Sequence, residues 1–167
     1  MILGLAGWSG SGKTTLIKNL LPKLKKINIS VSTIKHAHEG FDIDKPGKDS
    51  FIHRESGAQE VLISSSKRFA LMSNYKNKES SLTDLIAKLT PVDLVLVEGW
   101  KKENIKKIEV YRKEINKPLL ALNDKNIIAI ATNDKSIKIS NVILLDINNY
   151  DSITNFIKKL IKEEKIK

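Results

Sequence analysis

Cysteine is absent from the 167 residues, which excludes a disulfide scaffold and any thiolate metal site and fits a reducing compartment. No run of apolar residues is long enough to span a bilayer, and the apolar stretch at the start is too short for a signal-peptide core. A soluble cytoplasmic protein without a membrane partner is therefore expected. Arginine is scarce: only Arg54, Arg68 and Arg112 stand among 29 basic residues. The formal net charge of +10 thus comes from lysines spread over the chain, and no block of arginines interleaved with aromatics marks a nucleic-acid groove. A phosphate ligand fits this charge better than nucleic acid, which is not expected as a partner. There is no internal repeat and no linker, so residues 1–167 read as a single nucleotide-binding domain large enough for a proper core.

What the chain does contain is Gly7-Trp8-Ser9-Gly10-Ser11-Gly12-Lys13-Thr14, a full match to the phosphate-binding pattern G-x-x-x-x-G-K-[ST]. Ile2-Leu3-Gly4-Leu5-Ala6 before it suits a buried parallel strand, and Thr14 onward reads as a helix. In a strand, glycine loop and helix, the backbone N–H groups of Gly10 to Thr14 point into one concavity at the positive end of the helix dipole. Lys13 adds a point charge at the β- and γ-phosphates, and the Thr14 hydroxyl takes a place on Mg²⁺.

Along the chain, Leu16, Ile17, Leu20, Leu21 and Leu24 recur at helical spacing, with Pro22 expected to bend the helix. A strand is expected near Ile29 to Ile34. Residues 35–50 form a polar connection too long to be plain and so expected to be functional. A short helix from about Ser50 to Ser56 stops at Gly57, and strands at Glu60 to Ser64 and Arg68 to Ser73 flank a hairpin-like turn. Ser81 with Asp84 caps a helix through about Leu89. Val92 to Val97 is the most apolar strand; others follow near Ile108 to Tyr111, Ile127 to Thr132 and Val142 to Leu145, and a last helix is capped near Asp151. Strands alternating with helices predict an α/β fold, a three-layer P-loop NTPase arrangement with a mostly parallel sheet flanked by helices and its site at the C-terminal ends of the strands.

A P-loop needs an acidic partner for Mg²⁺ at the tip of a neighbouring strand. Glu98 stands at that tip and Asp93 at the opposite end, so Glu98 is assigned to the metal and Asp93 to a strand edge. All the histidines, His36, His38 and His53, fall close together with Asp42, Asp44 and Asp49. If strand geometry continues, His36 and His38 point the same way, as ligands of a transition metal or as contacts to nucleotide, Mg²⁺ or a second anionic substrate. Lys45 and Lys48 suit phosphate contact. Asp44 or Asp49 can hold Mg²⁺ or orient a water, and Asp49 is equally placed to cap the helix that follows. The guanine signature N-K-x-D is absent. Thr132-Asn133-Asp134-Lys135 lies where that loop should fall, and Asp134 either accepts from the guanine edge or closes a simple Asn-Asp turn.

Several segments together resemble one family, the molybdopterin-guanine dinucleotide biosynthesis protein B, or MobB, family. They are residues 4–15 around the P-loop, Ser32-Thr-Ile-Lys-His-Ala-His38, Phe41-Asp-Ile-Asp-Lys-Pro-Gly-Lys-Asp-Ser50, His53-Arg-Glu-Ser-Gly-Ala58, Asp93-Leu-Val-Leu-Val-Glu-Gly-Trp-Lys101 and Lys107-Ile-Glu-Val-Tyr-Arg112. Glu39 stands where the family often has another His, and Trp100 where Phe is common. The resemblance implies a homodimeric GTP-binding protein with weak GTPase activity. It implies assistance to a partner guanylyltransferase of the MobA type, which joins GMP to molybdopterin to make the dinucleotide form of the molybdenum cofactor. By the same resemblance Gly7, Ser9, Gly10, Ser11, Gly12, Lys13, Thr14 and Thr15 hold the phosphates and Glu98 takes the Walker B position. The loop from His36 to Ser50 faces the nucleotide or the anionic pterin.

Other readings stay open at this level. A small-molecule kinase would need arginines over the transferred phosphate, and only Arg54 and Arg68 lie in a plausible region. An ABC-type ATPase would need an L-S-G-G-Q segment, which is absent. A nickel-delivering GTPase commonly uses cysteine. A non-catalytic adaptor would keep the P-loop for binding alone.

Overall fold

The computed structural model describes residues 1–37, 40–75 and 78–166. In chain order the elements are β1 (Ile2–Ala6), α1 (Lys13–Lys26), β2 (Val31–Lys35), α2 (Asp49–Glu55), β3 (Glu60–Ser64), β4 (Phe69–Ser73), α3 (Leu82–Ala87), β5 (Leu94–Glu98), β6 (Lys107–Val110), β7 (Ile127–Thr132), β8 (Ile143–Asp146) and α4 (Tyr150–Lys165). They fall into two compact units, one of Met1–His36 with Leu89–Lys167 and one of Ala37–Lys88.

The first unit is built on a six-stranded sheet in the order β2-β5-β1-β6-β7-β8, with every pairing parallel. This is the expected parallel α/β architecture. Parallel strands are covered on both faces, which is why β1 and β5 read as near-continuous apolar runs. Leu3, Leu5, Leu94, Leu96, Ile108, Val110, Ala129 and Ala131 line one face and pack against α1 and α4. From α1 come Leu16, Leu20 and Leu24, each at most 1% exposed, at the spacing that puts them on one stripe. From α4 come Ile153, Ile157, Leu160 and Ile161. Each such side chain contributes about 1.5 to 3 kcal/mol by leaving water. The α1 helix runs on through Pro22 and ends where Asn28 takes a positive φ of 58°, letting the Ile29 N–H donate back to Leu24 O. Asn149, rather than Asp151, caps α4, its side chain accepting from Ser152 N; Asp151 sits in the first turn and pairs with Lys23 at 2.6 Å.

The other face carries Ala6, Ile127 and Ile130, covered by Leu119, Leu120 and Ala121, with a single turn of 3-10 helix at Leu120–Leu122. Two polar side chains are sealed here. Glu109 is fully buried and accepts from Leu120 N and Ala121 N at 2.8 and 2.9 Å, fixing that turn against the sheet. Burial pushes its carboxyl above the ordinary value, while the two N–H groups act the other way. Lys107 donates to Lys101 O, Glu103 O and Asp124 Oδ2 at 3.0, 2.7 and 2.8 Å, so it ties the connection between β5 and β6 to the sheet. A register shift between Lys107 and Ile108 against β7 lets Ile127 and Ile130 share this face.

The second unit holds α2, the antiparallel hairpin β3–β4 and α3. A capping box starts α3: Ser81 Oγ accepts from Asp84 N, and Asp84 accepts from Ser81 N. Among the described residues of this unit, Val61 and Leu82 are the buried apolar side chains.

Candidate functional site

All six strands of the parallel sheet point their C-terminal ends to one edge, and the chain crosses over at β1, which lies between β5 and β6. Ligands collect at that position in open parallel sheets, because the loops leaving β1 and its neighbours diverge and open a crevice. The P-loop leaves β1 there. Gly7 has φ +145°, and a Cβ on it would lie 2.5 Å from Val110 O and 2.7 Å from Ser11 Oγ, so only glycine fits the turn. The Ser11 hydroxyl is buried without a hydrogen-bond partner among the described residues. Lys13, the first residue of α1, reaches back across the loop and donates from Nζ to Gly7 O and Trp8 O, both at 3.0 Å. Burial lowers the pKa of its ammonium; Glu98 opposes this, and Lys101 and Lys35 add to it.

Glu98 closes β5 and pairs in register with Leu5 on one side and Lys35 on the other. It stands at the strand tip, near enough to Lys13 for its charge to act on that ammonium. The chain then turns at Gly99, whose φ is +101°, and a Cβ there would meet the His36 Cβ at 2.7 Å. His36 N donates to Glu98 O at 2.8 Å, and its ring lies 4.9 Å from that of Trp100. Thus His36 packs at the site's edge. His38 lies outside the described residues.

Two features were not legible in the motif. The Trp8 indole donates to Pro118 O at 2.8 Å, and Lys101 and Lys117 stand over its ring at 4.8 and 5.8 Å, joining the P-loop to the segments after β5 and β6. Arg112, two residues beyond the end of β6, brings its guanidinium to Gly12: a Cβ there would lie 3.5 Å from Nε and 3.9 Å from Nη2. The pairing of β6 with β1 was the missing information.

Farther along the same edge, Thr132, Asn133, Asp134 and Lys135 after β7 and Leu144, Leu145, Asp146 and Asn148 around the end of β8 line a cavity of about 410 Å³. Asp134 Oδ1 accepts from Ser136 Oγ at 2.6 Å and Ser136 N at 2.9 Å, which holds its carboxyl below the ordinary carboxylate range. The Asn-Asp turn therefore forms, and it borders this cavity.

The remaining residues singled out from the sequence, Asp42, Asp44, Lys45, Lys48 and Asp49, belong to the second unit. Asp44 is buried and accepts from Arg54 Nη2 and Nε at 3.2 and 3.4 Å, while Asp42 and Glu55 pair with the same guanidinium at 3.1 Å each. Arg54 also stacks 5.1 Å from the Phe51 ring centroid. Lys48 occupies the N-cap of α2 without a side-chain cap, and Asp49 sits in the first turn, where its charge favours the helix dipole. Among the described residues no group of three or more His, Asp or Glu side chains converges as a metal cluster. None of their helices is long and apolar enough to cross a membrane.

Comparison with known proteins agrees with this geometry. A family model described as molybdopterin guanine dinucleotide synthesis protein B matches residues 2–133. A molybdopterin-guanine dinucleotide biosynthesis adapter protein of Haemophilus influenzae is 43% identical over 94% of this chain and 87% of its own length. Its namesake in Escherichia coli is 37% identical over 98% of this chain and 94% of its own. A crystal structure of molybdopterin-guanine biosynthesis protein B superposes with a TM-score of 0.75 at 26% identity, covering 97% of this chain and 99% of that one. With the match spanning the P-loop, the Glu98 strand and the Asn133 turn, the chain belongs to the molybdopterin guanine dinucleotide synthesis protein B family.

Proposed function

We propose that the protein serves molybdopterin-guanine dinucleotide biosynthesis as a GTP-binding adapter, with slow hydrolysis of its own, for a guanylyltransferase that joins GMP to molybdopterin. The observation that carries the nucleotide reading is the arrangement at one sheet edge: a P-loop at the crossover point, Glu98 beside Lys13, and a cavity bordered by Asp134 two strands away. The adapter names of the relatives support the pathway.

In this reading the N–H groups of the P-loop from Gly7 to Thr15 receive the phosphates, and Lys13 exchanges its two carbonyl partners for phosphate oxygens. After the exchange Trp8 O still accepts from Ser11 N at 3.2 Å. Asp134 presents a carboxylate to the guanine edge, which donates; the adenine edge offers an acceptor and is repelled. Magnesium fits the donor set, because Thr14 offers a hydroxyl and Glu98 a carboxylate, both hard oxygens, and Mg²⁺ is usually held by one or two such groups with the rest from phosphate and water. Thr14 and Glu98 would hold it, and it would neutralise charge between the β- and γ-phosphates. Asp42, Asp44, Lys45, Lys48 and Asp49, with His36 and His38, are proposed to serve the pterin side of the reaction.

Dimerisation is supported by the hairpin. Leu62 and Leu71 are register partners and share a face with Phe69, and all three are exposed, with Phe69 at 73%. An exposed apolar face on a two-stranded ribbon favours a cover.

Single-turnover GTP hydrolysis, with and without the guanylyltransferase, tests the adapter reading. The isolated protein is expected to turn over well below one per second, against about 10 per second for a typical enzyme. Rapid hydrolysis alone, or phosphorylation of a small acceptor without any partner, would make it an independent enzyme of the kinase class.

A further inference from the structure

Register places the segment after β6 directly alongside the segment after β1, because Ala6 pairs with Glu109 and Val110 O abuts Gly7. The backbone of that segment is pinned: Tyr111 N donates to Ala131 O at 3.0 Å and Arg112 O accepts from Ile115 N at 3.2 Å. From this fixed point the Arg112 side chain runs to Gly12, the N-cap residue of α1. No hydrogen bond or ion pair to a described residue engages its guanidinium, and the nearest acid in sequence, Glu114, accepts instead from Asn133 Nδ2 at 3.4 Å. Arg54, by contrast, is fully occupied by carboxylates. A half-buried arginine at the positive end of a helix is repelled by the dipole, and Glu114 attracts it through space without forming a hydrogen bond or ion pair with it. An anion bound there is attracted by the dipole, by Lys13 and by Arg112, and these attractions offset the repulsion.

We infer that Arg112 is a phosphate-contacting residue of this site, a second cation supplied in the same chain for the phosphates that the P-loop cradles. The inference rests on the nucleotide-binding reading above and adds to it the residue that motif spacing did not place. Arginine suits the role because its planar fork donates two parallel hydrogen bonds to phosphate oxygens, which an ammonium cannot do.

Calorimetric titration of GDP with Mg²⁺ and of inorganic pyrophosphate into the wild-type protein, Arg112→Ala, Arg112→Gln and Arg112→Lys tests it. Pyrophosphate has no base, so it isolates the phosphate contact. Arg112→Ala and Arg112→Gln are expected to weaken both ligands by about 10- to 100-fold, the effect of removing a charged hydrogen-bonding partner. Arg112→Lys is expected to fall between them and wild type, with the ligand-free melting temperatures unchanged. If Arg112→Ala does not fold, Arg112→Gln decides by the same criterion. Wild-type affinity in the neutral variants overturns the inference and leaves the nucleotide reading standing. Failure of the wild-type protein to bind either GDP or pyrophosphate overturns that reading, and this inference with it.

Discussion

Arg54 and Asp44 show what a single residue pair does here and why sequence spacing alone could not assign it. Asp44 reads from the sequence as a ligand for Mg²⁺ or an orienter of water, yet its carboxylate, with a side chain 1% exposed, is held by Arg54 from the following helix. A buried charge that loses its partner is costly. Arg54→Ala is therefore expected to lower the stability of the protein, measured as a lower midpoint of urea unfolding. An unchanged midpoint would mean that Asp44 is not dependent on this pair. The P-loop residues were legible because their chemistry is local: eight consecutive positions specify the turn. Arg112, Trp8 and the pairing of Asp44 were not, because each depends on a neighbour brought in by the sheet or by a later helix.

At the scale of elements, strand and helix positions followed from periodicity, with boundaries shifted by a residue or two. The strand expected near Ile108 to Tyr111 carries Lys107 and Glu109, and both polar side chains are sealed and satisfied by the segments that cross over them. Pattern reading cannot see those crossing segments. Asp93 illustrates how the elements are tied at the opposite end of the sheet. Its carboxylate accepts from Ser30 Oγ and N ahead of β2 and from Lys165 at the end of α4. The Ser30 donors first, then Lys165, hold its carboxyl well below the ordinary carboxylate range. The folded state thus binds this proton less readily than the unfolded state does. The stabilisation is fully present above the unfolded pKa of about 3.9 and is lost as pH falls below it. Asp93→Asn is expected to reduce the urea midpoint at pH 7 and to narrow its gap to wild type at pH 3. A gap that stays constant with pH would show that the charge contributes nothing.

For the molecule as a whole, the apolar surface is divided unequally. The sheet unit has two clusters of buried side chains, whereas the unit of Ala37–Lys88 leaves Phe41, Ile43, Ile52, Leu62, Phe69 and Leu71 exposed. The proposed dimer covers the hairpin face. Light scattering during gel filtration is expected to give twice the chain mass for wild type and the monomer mass for Leu71→Asp. A monomeric wild-type protein at micromolar concentration would remove the dimer from the account.

The central claim is that this P-loop binds a guanine nucleotide, and titration calorimetry of GTP with Mg²⁺ into wild type and Lys13→Ala, with ATP as competitor, tests it most directly. Lys13 is the ammonium built into the loop, already poised on Gly7 O and Trp8 O. The expected result is GTP binding that ATP displaces poorly, weakened by about 2 to 4 kcal/mol in Lys13→Ala while the fold is retained, as for loss of one partner in a desolvated charge pair. Equal affinity for GTP in wild type and Lys13→Ala, or equal competition by ATP, would contradict it.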